Sequence, residues 1–257
     1  MYDPPAFVWA ITIAGPAATA AAAVVALYRG AARAGLGRRR AALLAKAAAV
    51  LLGGWFAATM LIASRGWYDT GPGQLPWLPV AMAGALGALL ALTRVPAVRR
   101  ALAAPGTAPG LVLPHSFRVA GVFFLLYLAV GRLPALFALP AGLGDITAGI
   151  AAPVVAWKLA RGAGRRAALW FNVFGLTDLT VATVLAALIG YQLLQVTPST
   201  DAISTNPLAL VVAADVPLMI ALHITSLVTL ARASRSAQPR RAGTTAVSPL
   251  TGQRRVG

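Results

Sequence analysis

The chain has 257 residues, of which 59% are hydrophobic and 11% charged, with a mean hydropathy of +0.76. A globular domain carries roughly 45–50% apolar and 25% charged residues, so one water-facing surface cannot accommodate this composition. The 22 Lys and Arg against six acids, all Asp, give a net charge of +16, and the absence of Cys excludes disulfides, thiol nucleophiles and Cys-held metal centres.

A bilayer core needs roughly 20 mostly apolar residues in a helix. Seven stretches meet this: Phe7–Tyr28, Ala41–Ala63, Trp77–Val95, Phe117–Leu139, Ala141–Leu159, Ala167–Leu194 and Leu208–Ala231. The sequence therefore predicts an all-α integral membrane bundle of seven helices over residues 1–232. Residues 233–257 follow as a basic, disordered tail. Breakers separate the spans: Arg38-Arg39-Arg40, Gly71-Pro72-Gly73, the Pro105–Pro114 segment and Thr197–Pro207. The fourth and fifth spans are interrupted by Pro134, Pro140, Gly142 and Gly144.

Basic residues set the orientation. Nineteen of the 22 fall on alternate sides: Arg29 to Arg40, Arg94 to Arg118, Lys158 to Arg166, and Arg232 to Arg255. The positive-inside rule then places the amino terminus outside and the carboxyl terminus in the cytoplasm of a bacterial inner membrane. Asp3, Asp69 and Asp201 fall on the outer side. The opening Met1-Tyr2-Asp3-Pro4-Pro5 lacks a basic leader, so the first span reads as an anchor rather than a cleaved signal. The basic tail reads as a positive-inside segment that touches anionic lipid, with no nucleic acid expected as a partner.

A weak internal repeat runs through the chain. Ile13-Ala14-Gly15-Pro16 leads to Arg39-Arg40-Ala41-Ala42-Leu43, and Ile150-Ala151-Ala152-Pro153 leads to Arg165-Arg166-Ala167-Ala168-Leu169. Spans 1–3 and 5–7 would be parallel repeats with the fourth span as linker, a transporter arrangement. In span count, exported amino terminus and 3+1+3 order this resembles the SWEET sugar-transporter class. It departs from that class because Ala17 and Val154 stand where Gln would follow each proline. A second resemblance rests on Phe117-Arg118, the Leu133–Asp145 run, Asn172 and Gly175-Leu176-Thr177-Asp178-Leu179. These are similar to a group of uncharacterised bacterial multi-pass membrane proteins, which implies a like fold and no activity.

Ionisable groups inside a membrane are functional hypotheses by default. Lys46 lies about 8 Å into its span and can snorkel to water. Arg132, about 20 Å up the fourth span, faces Asp145 across the Pro134–Gly144 interruption, so the two are expected to pair, as a clasp or as a substrate site. Asp178 lies about 16 Å into its span, near the midplane, and Asp215 about 10 Å into the last one. Each would be protonated, hydrogen-bonded, paired with Arg132, or turned to a cavity. His223, eight residues after Asp215, could extend a relay from it. His115, expected near the cytoplasmic face with Arg118, could join His223 as an axial haem ligand only in principle, because lone histidines are a weak haem signature. No cofactor or metal is expected. Gly53, Gly54, Gly84, Gly87, Gly142, Gly149 and Gly175 read as close-packing positions.

No enzyme motif is present: without Glu there is no HExxH, and neither G-x-x-x-x-G-K-[ST] nor G-x-S-x-G occurs. Span 7 has no Lys for a retinal Schiff base. Two functions stay open. One is a small-solute transporter or channel with Arg132, Asp145, Asp178, Asp215 and His223 along the path. The other is a non-transporting accessory or sensor module in which these groups bond the bundle.

Overall fold

A computed structural model describes residues 4–69, 71 and 73–237, with side chains to 233. All regular structure among them is helical. The helices are α1 (Ala6–Arg33), α2 (Arg38–Ser64), α3 (Trp77–Leu92), α4 (Pro96–Ala103), α5 (Ala108–Val112), α6 (Val122–Ala129), α7 (Ala135–Ala160), α8 (Arg165–Gly190), α9 (Leu208–Leu210) and α10 (Val216–Ala237). A 3-10 segment, Leu113–Gly121, joins α5 to α6, and a π turn, Val211–Asp215, joins α9 to α10. The predicted tail beyond residue 237 lies outside the described residues.

Six stretches are long and apolar enough to cross a membrane: α1, α2, Ala108–Ala129, α7, α8 and Leu208–Ala233. A seventh is reached if α3 and α4 count as one span, although they meet at a 79° bend. The chain is thus compatible with a multi-pass membrane protein. The bend has a local cause: Thr93 to Val95 turn away from α3, and Pro96 opens α4, where its missing N–H is not needed.

The expected boundaries fail in one region. The fourth span runs over Ala108–Ala129 rather than Phe117–Leu139, and the fifth over Ala135–Ala160 rather than Ala141–Leu159. Pro109 sits in the first turn of α5 and Pro114 in the 3-10 segment, so the expected breaker is the start of the span. The real break is the turn at Val130–Pro134, where Gly131 adopts φ +67° and Pro134 caps α7. Pro140 and Pro153 remain inside α7, each removing one backbone donor.

Packing is uneven. The last span forms the core, with 78% of its most apolar window buried, against 11% for α2. The 3-10 segment packs along α7 and α1, while α10 packs on α8, α5 and α3. Two side chains tie α2 to the last span: Trp55 Nε1 donates to the Ala213 carbonyl at 3.1 Å, and Asn206 Nδ2 to the Met60 carbonyl at 3.0 Å. Of the glycines expected to pack closely, Gly142, Gly149 and Gly175 do so. Gly53, Gly54, Gly84 and Gly87 do not: a Cβ there would meet nothing within 4 Å, because they lie on poorly covered faces of α2 and α3.

Candidate functional site

The site begins with the winding of the 3-10 segment. At three residues per turn, residues i and i+3 eclipse, so His115, Arg118 and Gly121 stand in one row. All three are buried. In an α-helix the row would drift by about 60° at each step and fan the three over about 120°. Counted from Ala108, Arg118 is about 17 Å into its span, mid-bundle rather than at the expected cytoplasmic face.

Arg118 is the hub. Its Nε donates to Asp145 Oδ1 on α7 at 2.7 Å, and its Nη2 donates to Asp178 Oδ2 on α8. Its Nη1 lies 3.3 Å from His223 Nε2 on α10. The guanidinium side chain is 2% exposed, with Asp145 at 15% and Asp178 at 9%. Four elements thus converge on one planar fork, the geometry for which Arg is suited and Lys is not.

Donor and acceptor rules fix the rest. Arg118 can only donate, so His223 Nε2 accepts and the imidazole is neutral with its proton on Nδ1. That proton goes to Asn172 Oδ1 at 2.9 Å. The Asn172 amide nitrogen then donates to the Ala168 carbonyl at 2.7 Å and to Ser226 Oγ at 3.0 Å. His115 stacks on His223 with ring centroids 3.8 Å apart and 21° between planes, and Phe171 meets it edge-on at 5.5 Å.

Glycines make the space. A Cβ on Gly121 would overlap the Asp145 side chain, one on Gly144 the Asp178 carboxylate, and one on Gly175 the His223 ring. On Gly149 it would meet the Val119 backbone nitrogen at 2.6 Å, because the 3-10 segment and α7 approach backbone to backbone.

Asp215 ends the π turn, and its Oδ1 is buried without a hydrogen-bond partner. With Arg118 and Asp145 it lines a cavity of about 20 Å³, room for a single water. A separate pocket of about 110 Å³ lies toward the Asp69 and Asp201 end of the bundle, lined also by Tyr68, Met82, Thr183 and Val212. No group of three or more metal-ligating side chains stands together among the described residues.

Four of the five expected site residues, Asp145, Asp178, Asp215 and His223, gather here. Arg132 does not. It is exposed in the turn before α7, while Asp145 is ten residues, about 15 Å, along that helix. The expected Arg132–Asp145 pairing gives way to Arg118–Asp145. In a double-mutant cycle Arg118 and Asp145 should couple by 0.5–3 kcal/mol, roughly the range for contacting pairs, and Arg132 and Asp145 should be additive. Coupling at Arg132 with none at Arg118 would reverse this assignment. The signal that could have found Arg118 is the period of three in His115, Arg118 and Gly121.

No curated protein and no solved structure matches the chain. A family model covers residues 75–231, from just before α3 into α10. It therefore includes every member of the Arg118 cluster and leaves out α1 and α2. That family is described as Domain of unknown function (DUF8737), and the chain belongs to it.

Proposed function

We propose that the chain is a membrane carrier that couples the movement of a small solute to binding of a proton at the Arg118 cluster. The observation that supports this most is the charge count around Arg118: one guanidinium bonds two carboxylates, and a third carboxyl lies in the same cavity. A surplus of buried negative charge is costly in hydrocarbon, and a proton or a small cation removes it. Once Asp178 is neutralised, Arg118 keeps only Asp145 as an ionic partner, and the link between the 3-10 segment and α8 loosens. A carrier fits better than an open channel, since the central cavity holds only one water.

In this reading the protein sits in the bacterial cytoplasmic membrane with its amino terminus outside. The loop arginines support that orientation, with Asp69 and Asp201 at the other end. Its partners are the bilayer, the solute, and anionic lipid at the cytoplasmic face, where Arg29 and Arg33 border a groove between α1 and α7. It carries out no enzymatic reaction and needs no cofactor. A 3+1+3 arrangement would make Ala108–Ala129, which bears Arg118, the linker. Its support is the sequence match and the placing of Pro16 and Pro153 inside α1 and α7.

A second reading, a non-transporting module, is favoured by the way the cluster satisfies most of its own hydrogen bonds. Proteoliposomes with a pH dye inside separate the two. Under an imposed proton gradient, wild type should show solute-dependent acidification across a panel of amines, sugars and amino acids. Asp178→Asn should lose at least tenfold in rate while keeping its elution profile. Silence across the panel, or an Asp178→Asn variant that transports like wild type, would favour the structural module.

A further inference from the structure

Asp178 has a second neighbourhood besides Arg118. Between α7 and α8, on the outer surface of the bundle, a groove of about 410 Å³ is lined by Pro140, Leu143, Thr147, Phe174, Thr177 and Val181, with Asp178 and Gly144 at its floor. Leu143, Phe174, Val181, Thr147 and Thr177 are exposed, so the groove opens sideways. Asp178 is the fourteenth of the 26 residues of α8, which places the groove at mid-depth in the span. The groove is shallow and open to the surface, with apolar walls around one carboxylate and two hydroxyl-bearing side chains. The other two acid-lined spaces, the cavity by Asp215 and the pocket by Asp69, are much smaller, about 20 and 110 Å³.

From this we infer that the α7–α8 groove is a lateral binding site for a lipophilic organic cation that enters from the bilayer, with Asp178 as its counter-ion. The inference rests on the carrier reading and names its substrate class. The sign of the charge follows from the cluster: Arg118 is outnumbered by the carboxylates bonded to it, so a cation completes the balance and an anion worsens it. Phe174 lines the same groove, and an aromatic ring attracts a cation over its face. Thr147 and Thr177 line the groove wall, and Thr147 Oγ1 already donates its proton to the Leu143 carbonyl at 2.7 Å. Pro140 and Gly144 keep the α7 side of the groove low, because neither projects a long side chain. A cation bound there competes with Arg118 for Asp178, which is how solute and proton would exclude one another at a single carboxylate.

The test uses the full chain in nanodiscs and radiolabelled tetraphenylphosphonium, with tetraphenylborate as a probe of the same shape and opposite charge. Saturable binding of the cation is expected, uncompeted by the borate, and weakened at least tenfold in Asp178→Asn. Thr177→Trp, which fills the groove without touching the Arg118–Asp178 bond, should weaken binding as strongly and keeps the test valid if Asp178→Asn does not fold. Binding no greater than in empty nanodiscs would overturn the inference and leave ordinary lipid as the groove's occupant. So would equal displacement by the borate, or a Thr177→Trp variant that binds like wild type. Solute-linked proton flux that depends on Asp178, without phosphonium binding, would leave the carrier reading standing alone. Phosphonium binding at Asp178 without any flux would do the opposite.

Discussion

Arg118→Ala is expected to destabilise the protein by about 3–5 kcal/mol, the cost of removing one member of a buried ionic cluster and leaving its partners uncompensated. Two carboxylates lose their shared donor, and His223 Nε2 loses the group that fixes its tautomer. Arg118→Lys should recover only part of this, since an ammonium is a point charge and cannot span α7, α8 and α10 at once. Adding Asp145→Asn and Asp178→Asn to Arg118→Leu removes the stranded charges and should restore much of the lost stability. Thermal loss of the monodisperse peak in detergent reads all three variants. If Arg118→Ala melts with wild type, or the triple variant is no better than Arg118→Ala, the ionic hub is not what holds these spans together.

The second large effect is expected at glycines. Gly149→Ala should lower stability by roughly 1–3 kcal/mol or more, the range for overpacking, because the new methyl meets the Val119 nitrogen and the Arg118 carbonyl carbon and neither can move aside. Gly175→Ala should be comparable. The His223 ring in its way is held from two sides, by Arg118 and Asn172, and cannot swing away without breaking a bond. Gly53→Ala and Gly84→Ala are the controls. Their surroundings are open, and Ala gains about 1 kcal/mol over Gly within a helix. The same melting assay should therefore separate the two pairs in opposite directions. Equal shifts in all four would mean that the close approach of the 3-10 segment and α7 is not realised.

Hydropathy made most of the spans legible, because crossing a bilayer depends on local composition and a fixed rise per residue. Asp178 was placed near the midplane by the same counting, and it lies mid-span in α8. The region from Pro105 to Gly144 was not legible in that way. Prolines stop a helix in its interior but not in its first turn, and hydropathy does not tell Pro109 at a helix start from a true breaker. A span that starts nine residues late puts Arg118 at the surface and Arg132 inside, and so pairs Asp145 with Arg132 instead of Arg118. The 3-10 winding that aligns His115 with Arg118 leaves only a short period-three trace. That trace is easily lost in a chain this rich in alanine and arginine. The closing of four elements on one guanidinium is tertiary information, foreshadowed by that trace and by the glycines opposite Asp145, Asp178 and His223.

The pocket beside Asp69 and Asp201 also bears on how a membrane voltage would act. Solvent filling that pocket would reach Thr183 and Val212, and Thr183 is five residues, about 7.5 Å, from Asp178 along α8. A conducting solution carries almost no potential gradient, so the voltage does not fall evenly across a core about 30 Å thick. It would be displaced from the pocket end onto the more closely packed layer beyond Val212, which holds the Arg118 cluster. An elementary charge crossing the full potential exchanges about 2.3 kcal/mol per 100 mV. Movement of a proton between Asp178 and the far side would therefore carry most of that work, and its arrival from the pocket only a small part.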